Sequence, residues 1–198
     1  MTEFAVLLAI EAIFCFTPLG SLPIGPMVAT LAMLPVCITA VLLGPKMGTL
    51  MGFFAGIFSF IVWTFMPPNP LTAFVFTPVA PAVAVEFTGN FWSLVICFVP
   101  RILVGTVTGL VNQAMLKKNP RSEVLSYTVS AAAGSIVNTI GVMGGIWLFF
   151  GGQYESIAGD VMLVIIGTTV LTNGIPEAAI AALATAAVCK PMKKPTMR

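Results

Sequence analysis

Long apolar runs, separated by short charged or Pro/Gly-rich breaks, divide the chain into six stretches: Phe4–Thr17, Met27–Leu43, Lys46–Met66, Phe91–Leu116, Leu125–Phe150 and Val161–Cys189. An α-helix needs roughly 20 apolar residues to cross a bilayer, so the pattern predicts six transmembrane helices, the first short and the last long enough to tilt. Composition agrees: 58% of residues are hydrophobic and only 8% charged, with a mean hydropathy of +1.04. Soluble chains carry about a quarter charged residues. The chain therefore reads as an all-α integral membrane protein in which residues 1–198 form a single six-helix transmembrane domain, with no room for a soluble one. The first stretch has an apolar core like that of a signal peptide but lacks a basic flank and a small-residue cleavage site, so it reads as a helix that stays.

Charge gives the orientation. With six alternating spans, Lys46, Lys117, Lys118, Arg121, Lys190, Lys193, Lys194 and Arg198 all fall on the side of the N-terminus, whereas the opposite side holds Glu86, Glu155 and Asp160 and no Lys or Arg. Basic residues concentrate in cytoplasmic loops, which predicts that both termini are cytoplasmic. The basic tail "KPMKKPTMR" is most simply part of that topology signal. Cys15, Cys37, Cys97 and Cys189 are scattered one to a span without a C-x-x-C spacing and read as small apolar residues.

Several chemistries are excluded. There is no histidine, which removes His-based catalysis and the usual intramembrane metal sites. The segment "LLGPKMGT" is not a phosphate loop, because the spacing G-x-x-x-x-G-K-[ST] is missing. Any use of ATP must come from other subunits. No cofactor signature is present, and no nucleophile-and-base set marks an enzyme. Only Glu11 and Glu177 are acidic within spans, so a proton-coupled carrier would have to rely on them.

Small residues recur at helical spacing: Gly48, Gly52 and Gly56 in the third span, Gly105 and Gly109 in the fourth, Gly141 and Gly145 in the fifth. Such strips let helices approach closely in lipid, and packing within this chain is the simplest use of them. Ala5 and Ala9 form a similar strip on the first span, where another protein's helix would fit. The outer connections "TPLGSLPIGPM" and "MPPNPLTAFVFTPVAPAVAVEFTGNFW" are rich in Pro, Phe and Gly and nearly free of charge. They suit either a lid over a pocket or loops lying in the lipid interface.

Three polar residues stand out within the spans. At about 1.5 Å per helical residue, Arg101 lies roughly 15 Å below the outer end of its span, Asn138 roughly 18 Å and Asn173 roughly 15 to 20 Å. Glu177 follows one turn after Asn173 on the same face, and Pro176 deprives the Thr172 carbonyl of its helical donor. Arginine in a span is costly enough to need a partner. That partner is either Glu177, in a buried ion pair, or the carboxylate of a small ligand received by the planar guanidinium, with the asparagines holding hydroxyl and amide groups.

The A-x-x-x-A of the first span, the turn "LLGPKMG", "FVPRILVG" entering the fourth span and "SIVNTIGVMGGIWLFFG" in the fifth resemble the substrate-binding S component of an energy-coupling-factor (ECF) vitamin transporter. Together they touch most of the chain. Within that family, the tract from Leu71 to Gly105 and the later "NGIPEA" are most similar to the pantothenate-specific branch. The resemblance implies a vitamin-binding subunit of the prokaryotic plasma membrane that docks onto a transmembrane scaffold subunit and two ATP-hydrolysing subunits, and that needs no cofactor of its own. It further implies that Arg101, Asn138 and Asn173 bind the vitamin with Asn90, Trp92 and Phe74 nearby, and that Ala5 and Ala9 meet the scaffold. Members specific for pyridoxine or hydroxymethylpyrimidine are the nearest alternatives, and a proton-coupled small-solute carrier or a scaffold without a ligand are the competing classes.

Overall fold

The computed structural model describes residues 2–17, 21–24, 27–68, 70–79, 89–158 and 162–192. Glu86, Asp160, Lys193, Lys194 and Arg198, which contributed to the charge pattern, lie outside them. The chain runs through α1 (Thr2–Phe16), a two-stranded antiparallel hairpin of β1 (Ser21–Ile24) and β2 (Met27–Thr30), α2 (Leu34–Leu43), α3 (Pro45–Phe65), α4 (Phe91–Lys118), α5 (Glu123–Ala158), α6 (Met162–Thr169) and α7 (Ile175–Met192). Among the described residues, four helices are long and apolar enough to cross a membrane: Pro45–Phe65, Phe91–Lys118, Glu123–Gln153 and Ile166–Met192. The protein is thus a multi-pass helical membrane protein.

The run Met27–Leu43, expected as one helix, is corrected by the structure. It begins as strand β2, passes through a 3-10 turn at Leu31–Met33 and becomes α-helical only at Leu34. Pro35 sits in the first turn of α2. Proline has no N–H for the carbonyl four residues back, so it favours a helix start and prevents α2 from extending towards Met27. The turn "LLGPKMG" has a comparable logic. Gly44 has φ +90°, the one positive φ among the described residues, and both ends α2 and precedes α3. A left-handed backbone suits glycine, and Pro45 next to it pre-sets the first turn of α3.

The last expected span is interrupted as well. Between α6 and α7 lies a π turn, Val170–Gly174, closed by a bond from the Ile175 N–H to the Val170 carbonyl. Pro176 follows at once and cannot donate to the regular ladder, so the helix takes up the missing bond by widening. Backbone angles at Thr169 and Ile175 remain right-handed helical, which keeps α6, the π turn and α7 in one rod.

Packing follows the glycine strips. A side chain at Gly48 would meet Ala40 and the Gly105 carbonyl, one at Gly52 the backbone of Arg101, and one at Gly56 the ring of Phe98. On the next interface Gly134 lies against Thr108, Gly141 against Pro100 and Gly145 against Ile96. The strips therefore serve packing within the chain, seating α3 on α4 and α4 on α5. One apolar cluster gathers Leu7, Val36, Cys37, Met51, Val104, Tyr127 and Cys189. The second holds Phe74, Val75, Phe76, Ile96, Val142, Ile146 and Phe150 under the connection that follows α3. Large apolar side chains such as Leu103, Leu110, Ile140, Leu148 and Leu183 point outwards, as they do where lipid is the solvent.

Candidate ligand-binding site

Arg101 is positioned by α4, whose start is fixed by Asn90. The Asn90 side chain accepts the Trp92 N–H at 2.9 Å, and the Asn90 N–H donates to Ser93 Oγ at 3.1 Å. These bonds satisfy first-turn N–H groups that helix geometry leaves open. From there α4 carries Arg101 into the bundle, where it is 7% exposed. Its Nη1 donates to the Ile96 carbonyl at 2.8 Å, while Nε is buried without a hydrogen-bond partner among the described residues.

The helix contacts set the level of the other polar residues. Pro100, beside Arg101, faces Gly141 on α5, and Gly174, at the end of the π turn, faces Thr139. Asn138 and Asn173 adjoin these contact points, so Arg101, Asn138 and Asn173 lie within about a helical turn of one level. Asn138 Oδ1 is buried and unpartnered; Asn173 is half-buried. Glu177 adds another unpartnered buried oxygen, Oε1, one turn after Asn173. No ion pair within 4.0 Å joins it to Arg101 among the described residues. Buried polar atoms in folded proteins nearly always have partners. A cationic donor and two acceptors left open at one level suit a small polar ligand that offers an anion and hydrogen-bonding groups.

Aromatic side chains lie at this level and on its side nearer the start of α4. Phe76 lies under the guanidinium, with Arg101 Cζ 5.2 Å from the ring centroid, and Trp63 stacks on Phe76 at 4.5 Å. Phe74 is buried edge-on against Phe150 at 5.5 Å. Trp92, more exposed, stacks on Phe149 at 4.1 Å with the rings 8° apart. The segment bearing Phe74 and Phe76 is held by Ser93 Oγ donating to the Phe74 carbonyl at 2.7 Å and by a 2.8 Å bond between the Thr64 and Thr77 hydroxyls. Arg101, Asn138 and Asn173 thus share a level on α4, α5 and the π turn, with no hydrogen bond joining them among the described residues, whereas Phe74 lies about two helical turns nearer the start of α4, against Ser93 and Phe150. Asn90 and Trp92 stand at the start of α4, and Asn90 is already engaged in the helix cap.

Sequence reasoning missed Phe76. It sits in the Phe-rich tract singled out above, but nothing in spacing alone distinguishes the ring beneath Arg101 from Phe74. Ala5 and Ala9 are both exposed on α1, whose opposite face buries Leu7 and Glu11. A groove of about 290 Å³ at the α4–α5 turn is lined by Met115, Lys118, Asn119, Ser122 and Leu125. None of those residues is buried, and the groove lies at the other end of α4 from Arg101.

Comparison with known proteins bears on what such a site serves. The model of the family "ECF transporter, substrate-specific component" matches residues 1–189. This chain belongs to that family. Among curated proteins, this S component is 32% identical over 169 residues to the pantothenic acid transporter PanT of Lactococcus lactis subsp. cremoris (strain MG1363), covering 85% of the chain and 80% of the relative. The family is one of transporter components and not of enzymes.

Proposed function

We propose that this S component captures pantothenate outside the cell membrane and delivers it inwards through an ATP-driven ECF module. The observation that carries the substrate reading is the likeness to PanT across most of both chains, together with a buried arginine whose Nε is unpartnered. Pantothenate offers one carboxylate for Arg101 and an amide and two hydroxyls for acceptors such as Asn138 Oδ1 and for Asn173. In this reading the chain crosses the membrane six times with both termini cytoplasmic, α1 and α2 being the short spans. The segment holding Phe74 and Phe76 closes over the ligand from outside.

Binding of radiolabelled pantothenate to the purified protein tests the substrate, with unlabelled pantothenate, pyridoxine and hydroxymethylpyrimidine as competitors. Saturable binding displaced by pantothenate alone supports the reading. Displacement by pyridoxine or hydroxymethylpyrimidine at lower concentration would keep the family and change the vitamin.

Docking is assigned to the Ala5 and Ala9 face of α1. The whole bundle would tip when this strip meets the scaffold subunit, and ATP hydrolysis by the partners would reset the complex. Both alanines are exposed, so leucine at both positions fits the fold but fills the strip. The double variant Ala5→Leu/Ala9→Leu is expected to reduce uptake in cells to background while pantothenate binding to the purified protein stays within about twofold, since surface changes away from a site cost little. Loss of binding in step with uptake would count against docking by this face.

A further inference from the structure

The groove at the turn between α4 and α5 has no part in the vitamin site, yet it joins an apolar cavity to a cluster of cations. α4 has 28 residues and is therefore ~42 Å long at about 1.5 Å per residue, against a hydrocarbon core of about 30 Å. Its last turn reaches the headgroup layer of the bilayer. There half-buried Met115 and exposed Leu125 give the groove of about 290 Å³ its apolar walls, and Lys118 stands at its edge. Val129, one turn after Leu125 on the same exposed face, continues the apolar surface towards the membrane interior.

The turn itself is fixed. The Asn119 N–H donates to the Met115 carbonyl at 2.9 Å, its Nδ2 donates to Ser122 Oγ at 2.7 Å, and its Oδ1 accepts the Arg121 N–H at 3.3 Å. The Asn119 side chain is thus committed to the turn, and exposed Lys117, Lys118 and Arg121 supply the cationic donors. Of the seven acidic side chains in the whole sequence, Glu123 is the one in this turn, and it has a partner of its own. Glu11 and Glu177 lie within α1 and α7, and Glu155 near the far end of α5. By chain position Glu86 precedes α4 and Asp160 follows α5, while Glu3 begins α1, which packs on α2 and α3. Set against Glu123, the three cations keep a surplus of two. The tail after α7 holds Lys193, Lys194 and Arg198, outside the described residues, and no acidic side chain.

We propose that this groove binds an anionic glycerophospholipid of the phosphatidylglycerol type, its phosphate held by Lys118 and Arg121 and the first carbons of an acyl chain lying against Met115 and Leu125. Both halves of the site select that occupant. An apolar wall continuous with a lipid-facing helix flank suits an acyl chain, and surplus cations at headgroup depth suit a headgroup with net negative charge. The inference is independent of which vitamin the protein carries.

Native mass spectrometry of the purified full-length protein, titrated with phosphatidylglycerol or with phosphatidylcholine of the same acyl chains, tests it. Each cation near the membrane surface contributes about fivefold to the attraction of an anionic lipid, so wild type is expected to bind one phosphatidylglycerol at least about tenfold more tightly than phosphatidylcholine. The variant Lys117→Gln/Lys118→Gln/Arg121→Gln is expected to bind both lipids alike, whereas Lys193→Gln/Lys194→Gln keeps the preference. Leu125→Trp retains every charge but fills the groove, and most of the preference should be lost. Equal affinity for the two lipids in wild type overturns the proposal, as does an unchanged preference in the folded triple variant. An unchanged preference in Leu125→Trp means diffuse attraction to a basic surface and overturns the assignment to the groove. Displacement of the lipid by an equal concentration of free glycerol phosphate would make the ligand a soluble phosphate. A triple variant that keeps the lipid preference but loses uptake in cells would make the turn a contact for a protein partner instead. If the triple variant does not fold, the wild-type comparison and Leu125→Trp still decide.

Discussion

Replacing Arg101 with alanine is expected to weaken pantothenate binding by at least about a hundredfold, which corresponds to about 2.7 kcal/mol. The magnitude follows from what the guanidinium supplies. Among the described residues it is the one buried cation, and charge-assisted hydrogen bonds to a carboxylate contribute about 1.5 to 3 kcal/mol each. Its Nη1 is bound to the Ile96 carbonyl, whereas Nε is unpartnered, so part of the planar fork stands ready for a ligand. Arg101→Lys keeps the charge but loses the fork and the flat contact with Phe76, so it should bind more weakly than wild type and more tightly than the alanine variant. Equilibrium binding of labelled pantothenate to all three proteins, each checked for a monodisperse elution profile, reads the effect. Equal affinity in folded Arg101→Ala and wild type would return Arg101 to a purely structural role.

The division between what the sequence disclosed and what it concealed has a physical basis. Apolar run lengths revealed α3, α4 and α5 because a bilayer imposes long uninterrupted helices, and the glycine strips correctly announced helix contacts because close approach in lipid demands small residues. The second run misled because apolar composition says nothing about hydrogen bonding: Met27–Met33 is as apolar as a helix but is halted by Pro35. The break at Val170–Gly174 was half legible, since Pro176 marks a missing donor without saying whether the rod kinks, ends or widens into a π turn. At the site, counting residues from the span ends placed Arg101, Asn138 and Asn173 at one depth, because helical rise is constant. Nothing in that counting locates Phe76, which reaches Arg101 from a connection after α3 whose path is set by the Ser93 and Thr64 hydrogen bonds.

Gly105→Leu is expected to leave little or no folded protein, and Gly105→Ala to lower the melting temperature clearly in detergent. At Gly105 a Cβ would overlap the backbone carbonyl of Gly48, and the neighbouring contacts, Gly52 on Arg101 and Gly109 on Pro45, are also to backbone. A clash with the end of a side chain is relieved by a change of rotamer; one with backbone is relieved only by moving a helix. Overpacking a close-packed interior typically costs about 1 to 3 kcal/mol even where side chains can shift, so separating α3 from α4 should cost more. Gly152→Leu is the matched control. Its Cβ would meet nothing within 4 Å, and its melting temperature should stay near wild type. Because Gly52 seats directly on the backbone of Arg101, this strip also sets the depth of the guanidinium. The folded fraction of Gly105→Ala should therefore bind pantothenate less tightly than wild type. Unchanged stability in Gly105→Leu would mean that α3 and α4 do not approach through these glycines.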